Sequence, residues 1–127
     1  MILDTDILVW VLRRHPGAIQ FVEGVRLAER TVSAVSYLEL LYGCRDQGQL
    51  DQLRRHISTR FAEVVPLSED ITVSAQRLIE RFVLSRRPDV ADVLIAATAL
   101  SRGETLATGN PKHFDFVPGL EIRVFRS

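Results

Sequence analysis

Residues 1–12, Met1-Ile2-Leu3-Asp4-Thr5-Asp6-Ile7-Leu8-Val9-Trp10-Val11-Leu12, set two apolar runs on either side of three polar residues. The first run is short enough for a strand and the second is apolar throughout, so the stretch reads strand, turn, buried helix, with Asp6 placed to cap the helix. Arg13, Arg14 and Pro16 end it. The same alternation continues. A short helix is expected over 17–26, a β-branched strand over 31–35, and a helix opened by Ser36 that carries Tyr37, Leu38, Leu40, Leu41 and Tyr42 and closes at Gly43. Leu50, Leu53 and Ile57, three and four apart in a polar stretch over 46–61, predict an exposed amphipathic helix. A strand over 62–67 leads to a helix begun by Ser68 and Asp70, whose stripe of Val73, Leu78, Ile79, Phe82 and Val83 should face a core. Asp89 to Leu100 has almost no polar residue after Asp92, which predicts a helix buried round most of its circumference and closed by Gly103. Strands over 104–108 and 121–125 complete the order.

Short apolar strands alternating with helices imply a mainly parallel sheet covered on both faces, because parallel strands need crossover connections. The fold class is α/β. A chain of 127 residues suits one domain, 1–127, and 46% hydrophobic content is enough to build its core. Sixteen basic and sixteen acidic residues cancel, so no global positive field draws in a polyanion, and local groups must hold one. The single Cys44 excludes an intrachain disulfide and a multi-cysteine metal site, and fits a reduced cytoplasmic setting. Asp4 and Asp6 stand where a signal peptide needs basic residues, and the apolar run is too short for a membrane span, so no membrane association is expected.

Active sites in open α/β sheets gather beyond the C-terminal ends of the strands. The polar residues expected there are mostly acidic: Asp4 after the first strand, Glu39 in the first turn after the second, Asp92 opening the buried helix, and Asn110 after the strand ending at Thr108, with Asp6 and Asp89 nearby. Converging carboxylates raise one another's pKa unless a cation neutralises them, and hard oxygen donors favour Mg2+ or Mn2+. Such a site suits phosphodiester hydrolysis. No Ser/His/Asp or Cys/His arrangement competes, since His15, His56 and His113 are scattered, and the chain has no dinucleotide or Walker glycine motif.

Each acid also has a structural use. Ser36-Tyr37-Leu38-Glu39 is a capping box, in which Glu39 reaches back to the Ser36 amide. Asp6 and Asp89 suit helix caps, Asp92 favours a helix dipole, and Asp4 suits a strand-end turn. His113 reads as a satisfied surface group and Asn110 as a turn former. An acid ahead of Val93-Leu94-Ile95-Ala96-Ala97, with few partners in reach, tips the balance towards a site.

The blocks Met1-Ile2-Leu3-Asp4-Thr5-Asp6, Ser33-x-x-Ser36-x-x-Glu39-Leu40 with Tyr42-Gly43, Asp89-x-x-Asp92-x-Leu94-Ile95-Ala96-Ala97-Thr98-Ala99 and Thr108-Gly109-Asn110-x-x-His113-Phe114 resemble, in order and spacing, the PIN-domain family and its VapC-type toxins. The resemblance covers essentially the whole chain. It implies a three-layer α/β/α sandwich with a small, mainly parallel sheet of four to five strands. It also implies an Mg2+- or Mn2+-dependent endoribonuclease with one or two ions, a homodimer, and inhibition by a cognate VapB-type antitoxin. Family roles carry over to Asp4, Glu39 and Asp92 as metal-binding catalytic acids and to Asn110 as the fourth catalytic position; Thr5 and Ser36 would be supporting hydroxyls, with Asp6, Asp89 and Thr108 beside them. Two departures stand out. Asp6 lies where such toxins commonly have Asn or Ser, so its charge would add a ligand, tighten metal binding or cap a helix. Asn110 lies where the family often has an acid, and His113 where many members have Asp. Asn110 and the missing basic field leave open an inactive PIN-like protein that binds antitoxin or RNA. A receiver-like phosphoacceptor fits poorly, because Lys112 falls in a loop.

Overall fold

The computed structural model describes residues 1–126. Its elements run β1 (Ile2–Leu3), α1 (Thr5–Leu12), α2 (Pro16–Glu23), β2 (Thr31–Ser33), α3 (Ala34–Tyr42), α4 (Gln47–Arg60), β3 (Glu63–Val65), α5 (Glu69–Phe82), α6 (Val90–Arg102), β4 (Leu106–Thr108) and β5 (Ile122–Val124), with 3-10 turns at Leu27–Glu29 and Pro111–His113. The five strands form one sheet in the order β3-β2-β1-β4-β5, and every neighbouring pair is parallel. That is the expected α/β class.

Successive strand residues point to opposite faces, and the two cores follow that alternation. Ile2 and Leu106 pack under α5 and α6 with Val65, Ile71, Val93 and Phe114. Leu3, Val32 and Ala107 pack on the other face with Ile7 and Leu8 of α1, Ala18 and Val22 of α2, and Leu53 and Ile57 of α4. The sheet is therefore the middle of three layers. Small residues let α6 lie close on it: Ala96, Ala97 and Ala99 have no exposed surface. The helix ends at Gly103 in the left-handed region, φ 63°, where a side chain would be strained.

Several boundaries differ from the sequence reading, each for a local reason. The strands keep only the residues that pair in the sheet, so β2 gives Ala34 and Val35 to α3, and β4 begins at Leu106. Ser33, not Ser36, caps α3, accepting from the Ser36 amide at 3.2 Å. On α5 the buried stripe is Ile71, Ala75 and Leu78, with Ile79 and Phe82 packed partly against it. Val73, expected in the core, is 38% exposed, because a residue two places from Ile71 and Ala75 falls on the far side of a helix. Among the described residues no helix is long and apolar enough to cross a membrane.

These packing assignments can be checked by denaturant unfolding. Ile71→Ala should cost about 2–5 kcal/mol, while Val73→Ala on the opposite side should stay within about 0.5 kcal/mol. Equal losses would restore the original stripe.

Candidate active site at the C-terminal edge of the sheet

The strand order changes direction between β1 and β4, the kind of switch point at which open α/β sheets place their ligands. Register pairs Leu3 with Ala107, so the residues that follow, Asp4 and Thr108, come side by side. The Asp4 amide donates to the Ala107 carbonyl at 2.9 Å. Thr108 Oγ1 donates to Asp4 Oδ2 at 2.7 Å, and the Thr5 amide donates to Asp4 Oδ1 at 2.8 Å. Asp4 is only 5% exposed. It, and not Asp6, is the N-cap of α1, because the Ile7 and Leu8 amides already donate to the Asp4 carbonyl and the helix begins two residues earlier than expected.

Glu39 reaches across from α3. Thr5 Oγ1 lies 2.9 Å from Glu39 Oε1 and 2.8 Å from Ser36 Oγ. A carboxylate only accepts, so the single Thr5 proton goes to Glu39 and the Ser36 hydroxyl donates to Thr5 in turn. The capping-box use of Glu39 does not occur: with the cap at Ser33, Ser36 sits inside the helix and its amide is already taken. Glu39 is instead turned towards the start of α1, with Thr5 and fully buried Ser36 as its supports.

Asp92 stands in the first turn of α6, whose N-cap is Asp89, accepting from the Asp92 amide at 3.1 Å. Its Oδ2 lies 3.3 Å from His113 Nδ1. The sequence carried no signal for this pair, because residues 21 apart meet only through the crossover from α6 through β4.

Asp6 makes a third set of contacts. Its Oδ1 accepts from the Ile7 amide at 2.7 Å, and its Oδ2 accepts from the Gly109 amide and from Asn110 Nδ2, both at 3.0 Å. Gly109 was missed by sequence reasoning. A β-carbon there would lie 2.7 Å from Asp6 Oδ2, so the approach needs glycine.

The acids form one electrostatic group. Burial, then the Asp6 charge and more weakly Asp92, push the Asp4 carboxyl up to about 7 despite the donations from Thr108 and Thr5. Burial and Asp89 also raise Asp92, with smaller additions from Glu39 and Asp6, while His113 opposes them. Among the described residues no Lys or Arg pairs with Asp4, Asp6, Glu39 or Asp92. Nor, among the described residues, do three His, Cys, Asp or Glu side chains stand together closely enough to hold a metal ion as they are placed. The result is an open edge of carboxylate and carboxamide oxygens without a fixed cation.

The PIN domain profile matches residues 1–119. Ribonuclease VapC19 of Mycobacterium tuberculosis is 35% identical over 123 residues, covering 94% of this chain and 96% of that protein. The tRNA(fMet)-specific endonuclease VapC of Shigella flexneri is 26% identical over 121 residues, covering 93% and 92%. In the crystal structure of VapBC2 from Rickettsia felis bound to a DNA fragment from their promoter, one chain superposes with a TM-score of 0.83 at 25% identity, covering 98% of each. With a profile that spans nearly the whole chain and a ribonuclease relative 35% identical along its length, the chain belongs to the PIN-domain family, in its VapC ribonuclease branch.

Proposed function

We propose that this chain is a divalent-metal-dependent endoribonuclease and the toxin of a toxin–antitoxin pair, with Mg2+ or Mn2+ as its cofactor. One observation carries the reading: a buried carboxyl, Asp4, is held at the switch point beside Asp6 and Asp92 with no basic side chain among the described residues paired to it. Burying an uncompensated charge is costly, and the group answers by titrating near 7. A hard cation would relieve that cost. Oxygen donors in an open arrangement fit Mg2+ or Mn2+, because such hard ions take oxygen ligands and keep several of their waters.

Asp4, Glu39 and Asp92 would hold the ion, and Asn110 would supply a neutral oxygen at the fourth position. Such an ion polarises a phosphate, makes a water a better nucleophile and stabilises the leaving oxygen. The protein's own task is to hold these oxygens still. Thr108 fixes Asp4, Thr5 fixes Glu39 with Ser36 behind it, and Asp89 fixes the first turn of α6 under Asp92. The names of the VapC relatives support RNA as substrate. The VapBC2 structure supports a VapB-type antitoxin as partner. A second copy of the chain and a cytoplasmic setting complete the proposal.

Two experiments test it. RNA 5′ ends mapped after brief expression in a host lacking the antitoxin should show discrete cuts with wild type that fall at least about 100-fold with Asp4→Ala or Asp92→Ala. Identical 5′ ends for wild type and Asp4→Ala would favour an inactive PIN-like protein that binds antitoxin or RNA. The second concerns pH. Asp4 titrates near 3.8 in the unfolded chain and near 7 in the fold, so between those values the folded state keeps a proton that the unfolded state has released. Stability in EDTA should therefore fall as pH rises from about 4 to about 7 and level off above. Asp4→Asn should flatten that slope, and Mg2+ or Mn2+ at pH 7.5 should raise the melting temperature of wild type but not of Asp4→Asn. A flat wild-type profile would contradict the buried charge.

A further inference from the structure

Asp6 is the acid that the metal reading leaves without a task. It does not cap α1, since Asp4 does. Both of its oxygens are engaged, Oδ1 by the Ile7 amide and Oδ2 by the Gly109 amide and Asn110 Nδ2, and the two backbone donors are fixed by the chain. A carboxylate accepts and never donates, so the Asn110 carboxamide must turn its nitrogen towards Asp6, which settles which of its two polar atoms is which. The rest of that loop is tied to Asp4: Thr108 Oγ1 donates to Asp4 Oδ2 and accepts from the Asn110 amide at 2.9 Å. Residues 108–110 are thus pinned twice, once to each acid of the Asp4-Thr5-Asp6 turn. The glycine between the pins is the residue that lets Asp6 approach this closely.

We propose that Asp6 is a positioning residue and not a metal ligand: it latches the loop after β4 and orients Asn110, leaving the Asn110 carboxamide oxygen as the neutral donor of the fourth position. The inference rests on the metal-site reading above for the use of that oxygen. The negative charge expected at position 110 is present, but it stands at position 6, where three N–H donors hold it and it fixes the geometry of an uncharged neighbour.

The test is a double-mutant cycle of Asp6→Ala, Asn110→Ala and the double variant, read in three ways. In EDTA, each single variant should shift the folding equilibrium towards the unfolded state by about 5- to 30-fold, and the double variant should be no worse than Asp6→Ala alone, since the pair shares one contact. In 1H–15N spectra, one Asn110 carboxamide proton should lie downfield in wild type and return to the free-amide position in Asp6→Ala. Calorimetric Mn2+ affinity should fall about tenfold in both single variants, with no further loss in the double variant. Multiplying losses of stability, or an Asn110 amide signal unmoved by Asp6→Ala, would overturn the latch. Loss of Mn2+ binding in Asp6→Ala with Asn110→Ala unaffected would make Asp6 a ligand and overturn it also. A wild type that binds no Mn2+ would overturn the metal reading instead, while the EDTA cycle and the amide signal would still decide the latch.

Discussion

One carboxyl removed from water governs this molecule. Asp4 is buried where β1 and β4 lie side by side, with two other acids near enough to oppose its ionisation. A fold does not keep such a group by chance, because an apolar residue there would cost nothing in desolvation. The surroundings are built to hold the acid in place without cancelling it. Thr108 and the Thr5 amide each give one hydrogen bond, enough to fix the side chain and too little to bring its pKa back to the ordinary range.

The sheet supplies the rigidity this needs. Fully buried Ile2, Leu3, Leu106 and Ala107 lock the register of β1 against β4, and the register alone brings Asp4 beside Thr108. Glu39 and Asp92 are delivered by helices whose first turns sit at the same edge. Each of those helices is started by its own cap, Ser33 for α3 and Asp89 for α6; Asp92 lies in the capped first turn, whereas Glu39, expected in a first turn, lies in the second turn of α3 and is held by Thr5. Local backbone chemistry and site geometry are here one set of contacts. The alanines of α6 contribute from behind, because close packing on the sheet brings the helix N-terminus within reach of the strand ends.

Charge is placed differently from what a list of acids suggests. Asp6 and Asn110 share one hydrogen bond, and their chemical types are complementary: an acceptor with no proton faces a donor with two. His113 does for Asp92 what, among the described residues, no Lys or Arg does for Asp4, easing its burial through a group that is itself largely exposed. The edge is therefore graded, with a partnered acid on α6, a latched acid on α1, and Asp4 between them as the least compensated of the three.

Much of this was legible in the residues. The alternation of short apolar runs with amphipathic or wholly apolar helices determined the α/β class, because strand and helix bury their faces with different periods and parallel strands need helical crossovers. The positions of Asp4 and Asn110 just beyond strand ends, and of Glu39 and Asp92 towards the starts of helices, suggested which residues would gather at one polar edge. Val73 was misplaced because apolar identity was read ahead of helical phase, and the phase is set by the buried core that Ile71, Ala75 and Leu78 enter. Partners across the fold were decided by tertiary structure alone. Whether Glu39 would meet its own helix amide or Thr5, and whether Asp6 would cap a helix or hold a loop more than a hundred residues away, depends on which donor lies within about 3 Å after packing, and side chains of the same type satisfy either geometry.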